Sequence, residues 1–371
     1  MKLTREQVNF QNKVSEFLHA NVYPNVNQYE KQGSFPRALI EEMGREGYLG
    51  ANIPKEYGGS NLGMVEIGIL NEEFAKTSSS VRSILTVQGM VALAILRWGN
   101  QEQRSIWLPK LAKGELVGAF ALAEEEAGSD ASNIQLEAVK KDGHYVIYGN
   151  KTWITMGQIA DIFLVFAKCS GNITAFLVEK KADITIEPIE GLLGVRASML
   201  ANAHFDHCIV PEENRISMEG AGLQYIVSSC LDYGRYTIAW ASLGICQACV
   251  DLSIEYVKSR RQFGSPLKEY QLIQRILTNM IVYTKAVRLS CYHTAQLRDE
   301  GDPDFLIDTW STKYLASKTA NKVASQAVQV FGANGCSDRY PVERYFRDAR
   351  INEIIEGTSQ IHEMIIANSY L

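Results

Sequence analysis

Residues 351–362 read INEIIEGTSQIH and put a carboxylate, Glu356, at the end of an apolar run, immediately before Gly357 and Thr358. The isoleucines ahead of Glu356 imply partial burial, which moves a carboxyl pKa toward neutrality and makes a usable general base. Gly357 and Thr358 would let the backbone approach a flat ligand while supplying a hydroxyl. A helix N-cap or a solvated glutamate accounts for the same stretch, and from these residues alone is slightly preferred. Arg82 and Ser83, in SSSVRSILTVQGM, are the polar pair in a run of small and apolar residues. A guanidinium buried there would want a carboxylate or a similar planar pair of oxygens to face it; a surface arginine is the alternative.

Other clusters carry less. Cys246 and Cys249 have C-x-x-C spacing but sit inside a long helical pattern with no second ligand pair, so core packing is preferred to zinc and no metal is expected. His204 and His207 fall in a strand-like run where odd spacing should send them to opposite faces, which makes them poor joint ligands. FGANG, residues 331–335, is a small-residue loop, and neither G-x-G-x-x-G after a strand nor G-x-x-x-x-G-K-[ST] occurs.

These residues need elements to hold them. Residues 1–118 show helical spacing, beginning with an amphipathic stripe of Phe10, Val14, Phe17 and Leu18. From 119 to 218 the period changes to two, and NIQLEAVKKDGHYVIYG alternates on both sides of Asp142-Gly143, a hairpin signal. Over 219–371 helical spacing returns in long segments, such as 222–258, 270–299 and 309–330. A mainly α chain with a central β domain is the expected fold class.

The 371 residues exceed one ordinary core, and 46% hydrophobic with 21% charged residues is ordinary for a globular protein. A net charge of -5 offers no basic field to nucleic acid or an anionic membrane. The N-terminus shows no apolar h-region, and no stretch reads as a bilayer span. The seven cysteines, odd in number and scattered through apolar segments, suit a reducing, cytoplasmic setting.

Taken together and in order, the motifs resemble those of the acyl-CoA dehydrogenase family of flavoproteins. AFALAEEEAGSD (119–130), KTWIT (151–155), SRRQFG (259–264), QVFGANG (329–335) and EGTSQ (356–360) carry the resemblance, which runs nearly end to end. It implies an N-terminal helical domain, a middle β-barrel and a C-terminal four-helix bundle, with FAD as cofactor. By the same resemblance Glu356 is the general base; Ser129, Trp153, Thr155, Thr358 and Gln360 contact FAD within one subunit. Arg260, Phe263, Gln329 and Gly332 reach it across an interface, so a homodimer or homotetramer is implied.

The departures bear on the substrate. The family's T-E-P-G before A-G-S-D is Ala123 to Glu126 here, so a flavin-facing threonine is absent and Glu125 and Glu126 add charge where coenzyme A phosphates pass. RSILTVQGM, YGRYTIAW and EIIEGTS resemble the branch that oxidises three-carbon units on an acyl carrier protein, for hydroxymalonyl or aminomalonyl polyketide extender units. Glutaryl-CoA dehydrogenases share the Arg-Ser pair and R-Y-x-I-A-W. Both resemblances have Arg82 and Ser83 meet a polar distal group, with Arg235 orienting the pantetheine or the base, or else pairing with Asp232. The carrier-protein branch is the preferred expectation, with an acyl-CoA as alternative; an inactive scaffold of an assembly line is the reading from another class.

Overall fold

The computed structural model describes residues 2–181 and 183–371. Six helices come first: α1 (Arg5–Asn21), α2 (Val26–Gln32), α3 (Arg37–Arg45), α4 (Met64–Thr77), α5 (Ser79–Trp98) and α6 (Gln101–Ala112). Local chemistry sets their starts. Thr4 and Gln7 form a capping box ahead of α1, Asn100 and Gln103 form another ahead of α6, and the Ser78 hydroxyl accepts from the Val81 N–H to open α5. Val14 and Leu18 of the α1 stripe are buried, with Phe10 and Phe17 packed partly against them.

A sheet follows, built from β1 (Gly118–Ala121), β2 (Glu137–Lys141), β3 (His144–Ile154), β4 (Ile162–Cys169), β5 (Asn172–Glu179), β6 (Ile184–Pro188), β7 (Ala201–Pro211) and β8 (Arg215–Ile216). The hydrogen-bonded order is β6-β7-β3-β2-β4-β5-β8, with β1 also on β4. Only Glu137 and Lys168 join the two halves of that order, so the sheet curls around one core that includes Tyr145, Phe163, Phe176 and Phe205. Asp142 (φ 42°) and Gly143 (φ 80°) turn β2 into β3, the left-handed pair that a two-residue hairpin requires.

One expectation fails in β7. His204 and His207 are both exposed on the same side of the strand, because a register shift opposite Tyr148 inserts an extra residue and His207 takes φ 53°. That bulge cancels the alternation on which the opposite-face expectation rested. Nδ1 of His204 bonds the Asn150 side chain and Nδ1 of His207 bonds Asp206, and no cluster able to hold a metal occurs among the described residues.

The last region is helical: α7 (Ser228–Ser259), α8 (Gln271–Glu300), α9 (Phe305–Phe331), α10 (Val342–Asn352) and α11 (Ser359–Tyr370), with a small hairpin of β9 (Arg261–Gln262) and β10 (Ser265–Pro266) after α7. A π-helical turn, Gly222–Val227, leads into α7. The first half of α7, through Tyr236, Trp240 and Leu243, shares a core with the N-terminal helices. Its second half, through Cys246 and Cys249, packs with Met280, Val323, Phe331 and Tyr345 in the bundle. The C-x-x-C pair is therefore core.

Two helical stretches, Ser79–Trp98 and Gly222–Ser259, do have the length and apolarity of a membrane span, contrary to the sequence expectation. Their apolar windows are 94% and 78% buried inside the protein, so neighbouring helices take the place a bilayer would. Long apolar helices at the centre of a bundle read this way because every face meets a neighbour.

Candidate active site

After α10 the chain turns back on itself, and Glu356 (φ 56°) and Gly357 (φ 92°) are both left-handed. For a glutamate that conformation costs about 1–3 kcal/mol, so the surroundings must impose it. Three neighbours hold the turn. Nε of Arg235 donates to the Glu356 carbonyl (3.2 Å), Nζ of Lys313 to the Gly357 carbonyl (2.7 Å), and Nδ1 of His362 lies 2.9 Å from the Thr358 carbonyl. The N-cap of α11 is Thr358, whose hydroxyl accepts from the Ile361 N–H. That removes the N-cap explanation of Glu356 and engages the Thr358 hydroxyl.

Glu356 as a residue is half-buried, but Oε2 of its carboxyl is buried, against α7 at Gly234. A Cβ at residue 234 would be 2.3 Å from Oε2 and 2.5 Å from the carboxyl carbon. Oε2 is buried with no hydrogen-bond partner among the described residues. Burial raises this carboxyl to about 7, against the opposing pull of Arg235, Lys313 and Arg82. An unpartnered buried carboxyl near neutrality is matched to proton abstraction, and it refutes the solvated-glutamate alternative.

Arg82, 2% exposed on α5, points Nη1 at the Thr86 hydroxyl (2.6 Å). Thr86 meets the Thr237 hydroxyl (2.8 Å), which bonds the Gly234 carbonyl, so a chain of polar contacts ends beside the Glu356 carboxyl. Nε of Arg82 is buried without a partner, and among the described residues no carboxylate makes an ion pair with it. Burial pushes this guanidinium down to about 10. Ser83 is buried too, but its hydroxyl donates to the Ser80 carbonyl (2.6 Å), leaving only acceptor capacity for a ligand.

The alternative role for Arg235, an ion pair with Asp232, is corrected by α8. Asp232 forms a two-pronged pair with Arg298 (2.6 and 3.1 Å). Arg235 instead lies over the Trp310 ring at 3.6 Å, and burial lowers it to about 10. Sequence reasoning missed Gly234, Trp310, Lys313 and His362. The signal for Lys313 was present: it shares a helical stripe with Ala316, Ala320 and Ala324, all buried, so a cation occupied a core position.

The residues expected around a cofactor divide into two groups. Trp153 stands out of β3, 60% exposed at φ 57°, with Thr155 half-buried behind it. Ser129 and Gln360 are exposed. Ala123, where a threonine was expected, accepts from the Thr152 N–H (2.9 Å). Glu124 is tied down by buried Lys151 (2.7 Å), whereas Glu125 and Glu126 are exposed and make no ion pair among the described residues. The second group lies at the far end of α7. Arg260 and Phe263 are on the β9–β10 hairpin, with Phe263 96% exposed at φ 47°. Gln329 and Gly332 are brought alongside by Tyr256, which stacks on Phe331 at 4.0 Å. From Gly234 to Arg260 the helix rises about 39 Å. Arg260 and Phe263 therefore cannot serve the pocket of their own Glu356.

Comparison with known proteins gives one answer over almost the whole chain. Residues 4–115, 119–208 and 220–371 match the acyl-CoA dehydrogenase N-terminal, middle and C-terminal domains respectively. An acyl-CoA dehydrogenase of Bacillus subtilis is 37% identical, over 100% of this chain and 99% of that protein. The solved butyryl-CoA dehydrogenase of Megasphaera elsdenii superposes with a TM-score of 0.95 at 35% identity, covering 100% of this chain and 99% of that one. The prolyl acyl carrier protein oxidase AnaB superposes with a TM-score of 0.94 at 25% identity, covering 100% of both chains.

Proposed function

The chain belongs to the acyl-CoA dehydrogenase family of FAD-dependent oxidoreductases, and from that premise we propose that it oxidises a short, polar acyl thioester carried by an acyl carrier protein, with Glu356 as the base. The observation that supports this most is the pairing of a near-neutral Glu356 carboxyl, its Oε2 unpartnered, with a buried Arg82 that forms no ion pair with a carboxylate among the described residues. A substrate with a polar or anionic distal end would satisfy Arg82 while its reacting atom meets Glu356.

The residues fit a flavin. An aromatic ring displayed in a strained backbone conformation on β3 offers a face to a flat cofactor, and Ser129 and Gln360 are exposed and Thr155 half-buried. In our reading these residues and Thr358 hold FAD in one protomer, while Arg260, Phe263, Gln329 and Gly332 serve a second copy. Bound FAD supplies the two-electron acceptor. The chain supplies the rest. The Glu356 N–H donates to nothing among the described residues and is available to a thioester carbonyl, which would acidify the adjacent carbon. Glu356 takes the proton from that carbon, or from the hydroxyl of an aldehyde hydrate in a three-carbon substrate. Packing against Gly234 of α7 keeps Oε2 of Glu356 buried.

The carrier-protein assignment rests on Glu125 and Glu126, whose exposed charges would oppose coenzyme A phosphates, and on the likeness to AnaB. The 35% identity to butyryl-CoA dehydrogenase favours free acyl-CoA as the second reading. Flavin bleaching on addition of glyceryl- or seryl-loaded carrier protein (with the partner alcohol dehydrogenase), glyceryl-CoA, glutaryl-CoA and butyryl-CoA separates them. Rapid reduction by a CoA thioester alone would remove the carrier-protein reading.

Two further outcomes are expected. Arg82→Ala should cost substrates with a polar distal group about tenfold to a hundredfold in kcat/KM, the range for a charged hydrogen bond, and butyryl-CoA far less. Equal losses would make Arg82 structural. Arg260→Ala should lower FAD retention while leaving the Glu356 pocket of its own chain intact. Mixing it with Glu356→Gln protomers should restore part of the activity, because each supplies what the other lacks. Failure of complementation would place Arg260 outside the shared site.

A further inference from the structure

Three successive carbonyls, those of Glu356, Gly357 and Thr358, each meet a different basic side chain: Arg235 from α7, Lys313 from α9 and His362 from α11. Consecutive carbonyls at a left-handed turn diverge, so one side chain cannot serve them all, and here three helices converge on them. The investment in buried polarity is unusual. Lys313 is fully buried and its one side-chain hydrogen bond among the described residues is to the neutral Gly357 carbonyl. A methionine would fill similar volume without the desolvation penalty. His362 is also fully buried and packs against Trp310 (ring centroids 4.8 Å apart), the same ring that carries the Arg235 guanidinium. Its bond to a carbonyl makes Nδ1 the protonated nitrogen, so Nε2 holds a lone pair, buried without a partner. It approaches so closely that a Cβ on Gly357 would lie 3.1 Å from its ring.

We propose that Lys313 and His362 are positioning residues for the reaction: with Arg235 they pin the turn, hold Glu356 in its left-handed conformation and set its carboxyl against Gly234. The inference rests on Glu356 being the base. Lys313 has a second effect through charge. It lies within electrostatic reach of Glu356 and helps keep that carboxyl from rising further, while burial pushes Lys313 itself down to about 7. The other groups facing the pocket are Arg82 from α5, Cys230, Asp232, Tyr233 and Arg235 from α7, Arg298 from α8 and Glu353 after α10; Asp232 and Arg298 neutralise each other, and burial keeps the Cys230 thiol and the Tyr233 hydroxyl protonated. His362 is held neutral by burial, down to about 3, and contributes a hydrogen bond without charge.

The test uses FAD-loaded enzyme with whichever of the thioesters above bleaches its flavin fastest and a dye acceptor, and an infrared titration of the Glu356 carboxyl without substrate, its band assigned by Glu356→Gln. Lys313→Met is expected to lower kcat about tenfold or more with KM little changed, and to move the carboxyl midpoint and the acid limb of the rate profile to higher pH. Lys313→Gln keeps a donor for the Gly357 carbonyl, so it should regain most of kcat while the midpoint stays high. His362→Phe keeps the ring on Trp310 but loses the Thr358 bond; kcat should fall several-fold with the midpoint unmoved. Should Lys313→Met fail to fold, the other two variants carry the test. Wild-type kcat and midpoint in the variants, with Glu356→Gln inactive, would overturn this inference and leave the base assignment standing. Turnover by Glu356→Gln would overturn both.

Discussion

Glu356→Gln should give a folded, yellow protein that turns over at least about a hundredfold more slowly, the usual contribution of a general base. The substitution conserves size, which matters because the carboxyl is wedged against Gly234 and a longer or branched side chain would not fit. It removes only the capacity to accept a proton. FAD contacts are not at issue, since the carboxyl bonds no group that would hold a cofactor, and flavin content should match wild type. The same assignment fixes the sign of the pH dependence. Glu356 works as a base only when ionised, and burial places its titration at about 7. Wild-type turnover should therefore fall as pH drops through about 7 and level off above it, and the glutamine variant should lose that limb. Near-normal turnover in the variant would move the base elsewhere.

How much of this was legible beforehand depends on the range of the interactions. Period-two alternation around Asp142-Gly143 and the helical stripe of α1 are local signals, and both elements formed as read. The depth of the Glu356 carboxyl was expected from Ile354 and Ile355, but Ile354 is 48% exposed, and it is Gly234 on α7, remote in sequence, that the carboxyl packs against. The histidines of β7 were misplaced because a bulge depends on pairing with β3, which is remote in sequence. Arg235 could not be assigned because its rival for Asp232, Arg298, is on another helix. Lys313 and His362 were missed for the same reason: each acts on a carbonyl of a turn that only packing brings near. The apolarity of α5 and α7 was visible but its meaning was not, since a bilayer and a crowded bundle ask for the same composition.

Gly234→Ala should separate positioning of the base from stability of the fold. On α7 the change from glycine to alanine favours the helix by up to about 1 kcal/mol, so thermal stability should hold or rise slightly. The new methyl, however, would sit 2.3 Å from Oε2 of Glu356. The backbone of α7 is locked by packing on both sides, through Tyr233 against Gly89 and Tyr236 and Trp240 in the core, so it is the carboxyl that must move. Glu356 has little freedom to do so by backbone rotation, because its turn is pinned at three carbonyls. The side chain must swing instead, by an ångström or more. A displacement of that size from the reacting atom costs about a hundredfold in turnover even when every group is retained. The expected result is a protein as stable as wild type, with full FAD content, wild-type binding of substrate and kcat close to that of Glu356→Gln. A variant with unchanged kcat would show that the carboxyl does its work from a position other than the one against Gly234, and the close approach of base to helix would then be packing alone.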